Sequence, residues 1–395
     1  MPQTFDIFCR VIDNYGDISV CWRLARRLAG RAGSGRVRLW VDNLAVFARI
    51  APAVVPGSAV QTLEGVEIRH WPDTSPPHAV PPRPHPEPPA PPSCGPAALI
   101  EPADVVIEAF ACTPPREYLR RMTARQIWIN LEYLSAESWI ESCHGLPSLQ
   151  PGGLRKFFFF PGFTAGTGGL LREPGLAARR DAWRADADAR QALLARLGIP
   201  AAWLRRLRAG ARLVYAFCYP GAPLPALMRA LSASERDTLV LLPEGAWPAD
   251  MPRAIETPRG LAQAHTHPFV DQDTFDRLLW SADLNIVRGE DSLVRAIWAG
   301  RPMIWQAYRQ EDGAHLEKLE AWLARTPYGV EVRALMRAWN TGDGNGLENL
   351  LPPLLEGPRL AEWREQARAW SSMLEGGMDL ADRLARFCTE HAQTR

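Results

Sequence analysis

The sequence lacks the features that define several common protein classes. Its 395 residues contain no run of 18 apolar residues, so no membrane-spanning helix is expected. Lysine and arginine total 45 against 44 aspartate and glutamate, a balance that argues against a dedicated nucleic-acid binder. The seven cysteines are scattered and never spaced CxxC, which favours reduced thiols over disulfides or a zinc site. Because the N-terminus also lacks a secretory signal, we expect a cytoplasmic protein.

Several motifs that bind cofactors or carry nucleophiles are also missing. No GxGxxG follows the first apolar segment, so a standard dinucleotide-binding fingerprint is absent. The glycine-rich stretch 162–169 lacks the lysine of a P-loop, and no GxSxG nucleophile elbow occurs. The histidines do not have zinc-ligand spacing, and we expect no metal site.

Short apolar segments alternate with helical patterns in two series along the chain. The first series is 5–12, 37–42, 66–71, 103–110, 126–133 and 156–163, and the second is 212–219, 237–245, 283–289 and 302–308. Such segments are typical of strands buried on both faces of a parallel sheet. Helical stretches between them indicate βαβ units, and the sequence therefore predicts an α/β protein.

The two series predict two α/β domains with helical connections. We assign 1–175 to a first Rossmann-like domain, 176–210 to a helical connector, 211–357 to a second Rossmann-like domain and 358–395 to helices that pack back across both. The segment 72–97 holds 12 of the 36 prolines, which excludes a helix or a sheet ladder there. We interpret it as a tolerated surface insertion, with a PxxP ligand for another protein as the alternative.

Two carboxylates follow the first predicted strand, where ligands bind in open α/β sheets. Asp13 and Asp17 are four residues apart, and Gly16 between them permits a tight turn. Such a pair can converge on one cation or one exchangeable proton. The structural alternative is that Asp17 caps the next helix while Asp13 forms an Asx turn.

A second polar cluster separates the predicted strand 283–289 from the next helix. Arg288 and the free N–H groups of the helix start attract phosphate, whereas Glu290 and Asp291 repel it unless they face hydroxyls or a base. A nucleotide sugar carries both a diphosphate for Arg288 and hydroxyl groups for the two acids. A well-capped helix is the structural alternative.

Aromatic residues just upstream offer a place for a base. Phe269 and Phe275 flank Gln272, so the two rings can enclose a base whose edge the amide hydrogen-bonds. Core packing is the commoner explanation of aromatics at this spacing.

Four long segments, taken together, resemble one known family. They are IFCRVIDNYGDISVCWRLARRLA, NLEYLSAESW, FFFPGFTAGTGGLLRE and FDRLLWSADLNIVRGEDSLVRAIWAGRPMIWQAYRQ. The chain resembles the protein-arginine rhamnosyltransferases that modify translation elongation factor P. The resemblance implies a GT-B fold with the acceptor protein on the N-terminal half. It also implies that dTDP-β-L-rhamnose lies on the C-terminal half and that the anomeric centre inverts.

The resemblance also implies roles for individual residues. Asp13 and Asp17 match the essential acids of the acceptor side, and Glu290 matches the essential acid of the donor side. Phe269, Gln272 and Phe275 match a thymine-binding cluster. The residues that match nucleotide and diphosphate contacts are Tyr219, Arg288, Asp291, Ser292 and Tyr308, with Tyr219 the less secure match.

The chemistry of arginine fits these roles. A guanidinium is a very poor nucleophile, so we hypothesise that Asp13 and Asp17 grip it and that Asp17 takes its proton. Arg288 and the helix start at Glu290 then stabilise the departing diphosphate without a metal or other cofactor. Two alternatives stay open: an enzyme using another nucleotide sugar, and a non-catalytic protein that binds nucleotide sugars or elongation factor P. No membrane or direct nucleic-acid partner is expected.

Overall fold

The computed structural model describes residues 3–12, 15–71, 100–249, 251–258, 260–310 and 313–393. Asp13 and the proline-rich segment 72–97 lie outside these ranges. Within them the chain forms one sheet of eight strands and one of six.

The first sheet is parallel except at its two edges. Its strands are β1 (Gln3–Cys9), β2 (Ser34–Val41), β3 (Val60–Leu63), β4 (Val66–His70), β5 (Val105–Ala109), β6 (Ile127–Leu131), β7 (Pro147–Leu149) and β8 (Arg155–Phe159). They lie in the order β3-β4-β2-β1-β5-β6-β8-β7, and only the pairs β3–β4 and β7–β8 are antiparallel. Because β1 lies between β2 and β5, the strand order reverses there, and a crevice opens at the carboxyl ends of β1 and β5.

The second sheet repeats this plan. Its strands are β9 (Arg212–Ala216), β10 (Thr238–Pro243), β11 (Ala254–Glu256), β12 (Leu261–His267), β13 (Leu284–Arg288) and β14 (Met303–Gln306). The order is β11-β12-β10-β9-β13-β14, and only β11 is antiparallel to its neighbour. Here the order reverses between β9 and β13, so the crevice lies at the carboxyl ends of those two strands.

Helices flank both sheets and connect them. They are α1 (Gly16–Ala29), α2 (Leu44–Ile50), α3 (Arg116–Leu119), α4 (Ile140–Cys143), α5 (Leu176–Ala185), α6 (Ala187–Arg196), α7 (Ala201–Arg208), α8 (Leu224–Ser232), α9 (Gln272–Ser281), α10 (Asp291–Ala299), α11 (Ala314–Arg325), α12 (Val330–Thr341), α13 (Gly344–Leu354), α14 (Gly357–Glu375) and α15 (Leu380–Gln393). The helices α5 to α7 join the two sheets. No helix in the part of the chain that the structure describes is long and apolar enough to cross a membrane.

Each sheet has its own hydrophobic core, and the last two helices belong to different cores. Trp363 and Trp370 of α14 are buried in the core of the second sheet. Leu380 and Leu384 of α15 are buried in the core of the first sheet, beside α1. The chain therefore returns to its first half at its C-terminal end. The exact domain boundaries stay a prediction.

Candidate active site

One cleft, formed of two adjoining cavities, lies between the two sheets. The empty space of the smaller cavity is about 520 Å³ and that of the larger about 1140 Å³, and both volumes include space open to solvent. Both are lined by Gly16 of α1, Tyr219 beyond β9, and Gly289 and Glu290 beyond β13. The reversal points of the two sheets thus face one continuous space.

Asp17 lies in the first turn of α1 and lines the larger cavity. Its side chain is buried, and Oδ2 accepts a hydrogen bond of 2.8 Å from the backbone N–H of Ile12. The residue that precedes the helix is Tyr15, which makes no side-chain cap. The alternative in which Asp17 caps the helix is therefore wrong, although the helix dipole still favours a carboxylate in this turn. Asp13 lies outside the described residues.

Glu290 immediately precedes α10 and lines both cavities. Its Oε2 accepts a 2.8 Å hydrogen bond from the backbone N–H of Leu134, which belongs to the first half. The preceding Gly289 has φ 61°, a left-handed conformation that glycine adopts without a Cβ clash. Its carbonyl accepts a 2.8 Å bond from Trp305 Nε1, which fixes the turn that presents the carboxylate.

Arg288 ends β13 with its guanidinium packed against two aromatic rings. Its Cζ lies 4.6 Å from the ring centroid of Phe217 and 4.5 Å from that of Tyr219, so cation–π attraction holds it. The Tyr219 ring in turn meets the edge of Tyr308, with centroids 5.4 Å apart. Ser292 Oγ accepts a 3.1 Å bond from the N–H of Arg288 and donates to its carbonyl. A fixed guanidinium beside the start of α10 forms a corner suited to an anion.

The predicted base-binding residues line the smaller cavity. Phe269 packs on Tyr15 with ring centroids 4.4 Å apart, and Phe275 meets the edge of Phe217 at 5.3 Å. Gln272 is buried and hydrogen-bonds α1 of the other half. Its Nε2 donates to the carbonyl of Ser19 at 3.1 Å, and its Oε1 accepts from Arg26 at 2.9 Å. Gln272 links the two halves here, and its role toward a base stays a prediction.

Asp291 lines the smaller cavity and faces an arginine from the first half. Its Oδ1 lies 3.0 Å from Nε of Arg23. Burial raises the pKa of the Asp291 carboxyl, while Arg23 and Arg295 oppose that shift. Sequence reasoning missed both arginines because nothing in their spacing separates them from the surface arginines of amphipathic helices.

The larger cavity has an aromatic wall, in which Tyr133 was expected from its place at a strand end and Phe110 was missed. Phe110 and Tyr133 follow β5 and β6, and their rings stack with centroids 4.6 Å apart and planes 20° from parallel. Phe110 and Ala111 both have φ 57°, a left-handed conformation that is uncommon for such residues. The position of Phe110 at the carboxyl end of β5 was the available signal.

No three histidine, cysteine, aspartate or glutamate side chains cluster as a metal site among the residues that the structure describes. Arg288 places one positive charge beside the start of α10. That the reaction needs no metal stays a prediction.

Comparison with known proteins shows the family. The model of the family described as "Elongation-Factor P (EF-P) rhamnosyltransferase EarP" matches residues 5–389. A protein-arginine rhamnosyltransferase of Pseudomonas putida is 47% identical over 86% of this chain and 87% of its own. The Pseudomonas aeruginosa enzyme of the same name is 45% identical over 86% of this chain and 88% of its own.

Solved structures agree with the sequence comparison. A structure described as the basis for EarP-mediated arginine glycosylation of translation elongation factor EF-P aligns over 98% of this chain and 99% of its own. Its TM-score is 0.61 and its identity 30%. A UDP-glucosyltransferase from Polygonum tinctorium shares the fold, covering 100% of this chain and 98% of its own at TM-score 0.50 and 13% identity. The chain therefore belongs to the EarP family: it has the GT-B glycosyltransferase fold and is a protein-arginine rhamnosyltransferase, an enzyme that transfers rhamnose to arginine.

Proposed function

We propose that this chain transfers L-rhamnose from dTDP-β-L-rhamnose to an arginine of translation elongation factor P, with inversion of the anomeric carbon. The observation that carries the proposal is the meeting of Asp17, from the first half, and Glu290, from the second, on one cavity beside Arg288. The acceptor is supported by the family description and by the solved relative, both of which name that factor.

The smaller cavity suits the nucleotide part of the donor. Phe269, Gln272 and Arg288 all line this cavity. Phe269 and Phe275 supply apolar faces for a base, and Arg288 with the start of α10 supplies the charge that a diphosphate needs. Tyr219 lines both cavities and contacts Tyr308, which lines the larger one, and we assign both rings to contacts with the nucleotide or its phosphates.

The larger cavity suits an arginine side chain on a protein loop. It is the roomier of the two and is lined by the stacked rings of Phe110 and Tyr133 as well as by both acids. Tyr133 is 38% exposed and Tyr308 is 57% exposed, so the mouth presents aromatic surface to solvent. A guanidinium stacks on aromatic faces and pairs with carboxylates, and this wall offers both contacts.

The proposed reaction is a single displacement. A guanidinium nitrogen of the acceptor attacks the anomeric carbon while the bond to the diphosphate oxygen breaks, and dTDP leaves with the bonding electrons. Asp17 accepts the proton lost from that nitrogen. We assign Asp13 to gripping the guanidinium with Asp17, and Glu290 to positioning the sugar or stabilising developing positive charge on its ring. Arg288 and the start of α10 stabilise the leaving diphosphate, which is why we expect no metal requirement.

A transfer assay on purified elongation factor P tests the proposal. We expect a gain of one deoxyhexose with dTDP-β-L-rhamnose, mapped to an arginine by tandem mass spectrometry, and the same gain with EDTA present. Transfer that requires added magnesium would contradict the metal-free leaving-group step. Transfer from UDP-glucose or dTDP-glucose at a similar rate would contradict the donor assignment. Donor binding without any transfer to a competent acceptor would favour the non-catalytic alternative.

A further inference from the structure

A buried cluster of charged side chains joins the two halves beside the cleft. It contains two guanidinium groups and three carboxylates, contributed by Arg23, Arg295, Glu173, Asp276 and Asp291. The Arg23 and Arg295 side chains are only 1% and 2% exposed. Charges so deeply buried persist only when they are paired, so the geometry of this cluster is tightly constrained.

Asp276 of α9 lies between two guanidinium forks. Arg23 donates to its two oxygens at 3.2 and 3.1 Å, and Arg295 donates to the same two oxygens at 2.9 and 2.6 Å. Glu173 accepts from both arginines, at 3.3 Å from Arg23 and 2.7 Å from Arg295. Burial alone would raise the pKa of Glu173, but the two arginines outweigh burial and lower it.

Arg23 and Glu173 both lie within the predicted first domain, and of the five members only Arg23 lies on α1. The first turn of that helix carries Asp17, and Arg23 lines the smaller cavity. Its Nε faces Asp291 at the start of α10. One turn earlier on the same face of α1, the carbonyl of Ser19 accepts from Gln272 at the start of α9. The helix that carries the proposed base is thus tied to the two helix starts that border the donor pocket.

We propose that Arg23 is a positioning residue that fixes α1, and with it Asp17, against the donor-binding start of α10. The inference rests on the proposed function, because it concerns the alignment of the acceptor and donor parts of that site. Arg23 holds the two halves together through a bidentate fork, which fixes orientation as well as distance. Without it, the cluster keeps one guanidinium for three carboxylates, and α1 loses its charged link to α9 and α10, which loosens the contact between the halves. A misplacement of about 1 Å between reacting groups can reduce turnover about 100-fold.

Arg27 supplies a matched control on the same helix. Its Nη2 donates to Asp379 at 2.6 Å and to Asp382 at 2.7 Å, and its Nε donates to the carbonyl of Arg172 at 3.1 Å. Its side chain is 8% exposed, and it lines neither cavity. Replacing it removes a comparable number of buried polar contacts without touching the cluster at α9 and α10.

The test compares Arg23→Gln with Arg27→Gln in the full chain. We expect Arg23→Gln to lower kcat about 10- to 100-fold while dTDP affinity, measured by calorimetry, changes less than about threefold. Arg27→Gln is expected to keep kcat within about threefold, whatever its effect on thermal stability. Arg23→Lys keeps the charge but not the fork, and is expected to recover only part of kcat; it replaces Arg23→Gln if that variant does not fold.

Small-angle X-ray scattering gives a readout that does not depend on activity. We expect the radius of gyration of Arg23→Gln to exceed that of the wild type, and that of Arg27→Gln to be unchanged. Equal loss of kcat in both variants, unchanged kcat in Arg23→Gln, or loss of dTDP binding would each overturn the positioning role. If the wild type transfers no rhamnose but Arg23→Gln still has the larger radius of gyration, the proposed function fails while the link between the halves through Arg23 stands. The two failures can therefore be told apart.

Discussion

Each of the two acids described in the cleft accepts a hydrogen bond from a backbone N–H of a loop outside its own helix. Asp17 accepts from Ile12, and Glu290 accepts from Leu134 of the other half. These bonds fix where the two carboxylates lie. The proposed base and the proposed charge stabiliser are therefore both held in place before substrate arrives.

Replacing Asp17 by asparagine tests the base directly. The amide keeps an oxygen that accepts from Ile12 but cannot take a proton, so we expect kcat to fall about 100- to 10000-fold with donor affinity unchanged. Steady-state rates and dTDP calorimetry measure the two effects.

Asp42→Asn is the matched control for that variant. Asp42 accepts a 2.9 Å bond from the N–H of Val11, in the same loop, but it lines neither cavity. We expect its kcat to stay within about threefold of the wild type. Normal turnover in Asp17→Asn, or an equal loss in Asp42→Asn, would show that Asp17 only anchors the loop.

Glu290→Gln separates charge from hydrogen bonding on the donor side. The amide oxygen can still accept from Leu134, so we expect unchanged thermal stability but a fall in kcat of about 100-fold, as for loss of one electrostatic contact to a transition state. Thermal melting and initial rates measure these quantities. Full activity in the variant would remove Glu290 from the mechanism.

The residues that the sequence located were those adjoining strand ends. Asp17 and Glu290 follow β1 and β13, and Arg288 ends β13. The rule that ligands bind at carboxyl ends made them candidates, and the family resemblance then separated them from helix caps. Arg23 was not predictable, because its partners Asp276 and Glu173 are 253 and 150 residues away in the chain. A local sequence pattern cannot predict a contact between residues so far apart in the chain.

At the scale of elements, each of the ten predicted strand segments contains all or most of an observed strand. The strands β3, β7, β11 and β12 were missed for a physical reason. β3, β7 and β11 are short edge strands, and β12 alternates apolar residues with glutamine, histidine and threonine. The buried central strands, by contrast, are mostly apolar and easily recognised.

The last helix makes an element-scale prediction about stability. Leu384 of α15 is 0% exposed in the core of the first sheet. We expect Leu384→Ala to lower the free energy of unfolding by about 2 to 5 kcal/mol, since it leaves a cavity. Met373 of α14 is 64% exposed, and we expect Met373→Ala to change the free energy of unfolding by less than about 0.5 kcal/mol. Urea unfolding measures both; equal small effects would show that α15 does not support that core.

One half-buried histidine, His144, and one buried histidine, His267, predict how stability depends on pH. Burial lowers the pKa of His144 to about 4, and Arg383 adds to the shift; burial likewise lowers that of His267 to about 4. His144 Nδ1 accepts from the N–H of Phe160 at 3.0 Å, which requires the neutral ring. The unfolded chain, with histidine pKa near about 6.5, binds more protons between the two values.

The sign of the pH effect follows from that difference. The stability from neutral histidines is fully present above pH about 6.5 and is lost as pH falls toward about 4. We expect the free energy of unfolding to decrease from pH 7 to pH 5, and to decrease less in a His144→Gln, His267→Gln double variant. Urea unfolding at the two pH values measures the free energy of unfolding of the wild type and of the double variant. An equal slope in the wild type and the variant would contradict the assignment.

At the scale of the whole molecule, two sheets of related topology place their reversal points against one cleft. The first brings Asp17 after β1, and the second brings Arg288 and Glu290 after β13. The alternation of strands and helices predicted two such halves. It did not predict their relative orientation, because that depends on contacts such as those of Arg23 and Gln272 between distant segments.

The proposed mechanism requires that the donor and the acceptor meet in that cleft and react in a single displacement. The anomeric configuration of the rhamnosyl-arginine formed by the wild-type enzyme tests this most directly, and the one-bond C–H coupling at the anomeric carbon measures it by NMR. Because the donor dTDP-β-L-rhamnose is β-configured, inversion is expected to give an α-linked product. A β-linked product would show that the configuration is retained, and would contradict displacement by one base without a covalent sugar–enzyme intermediate.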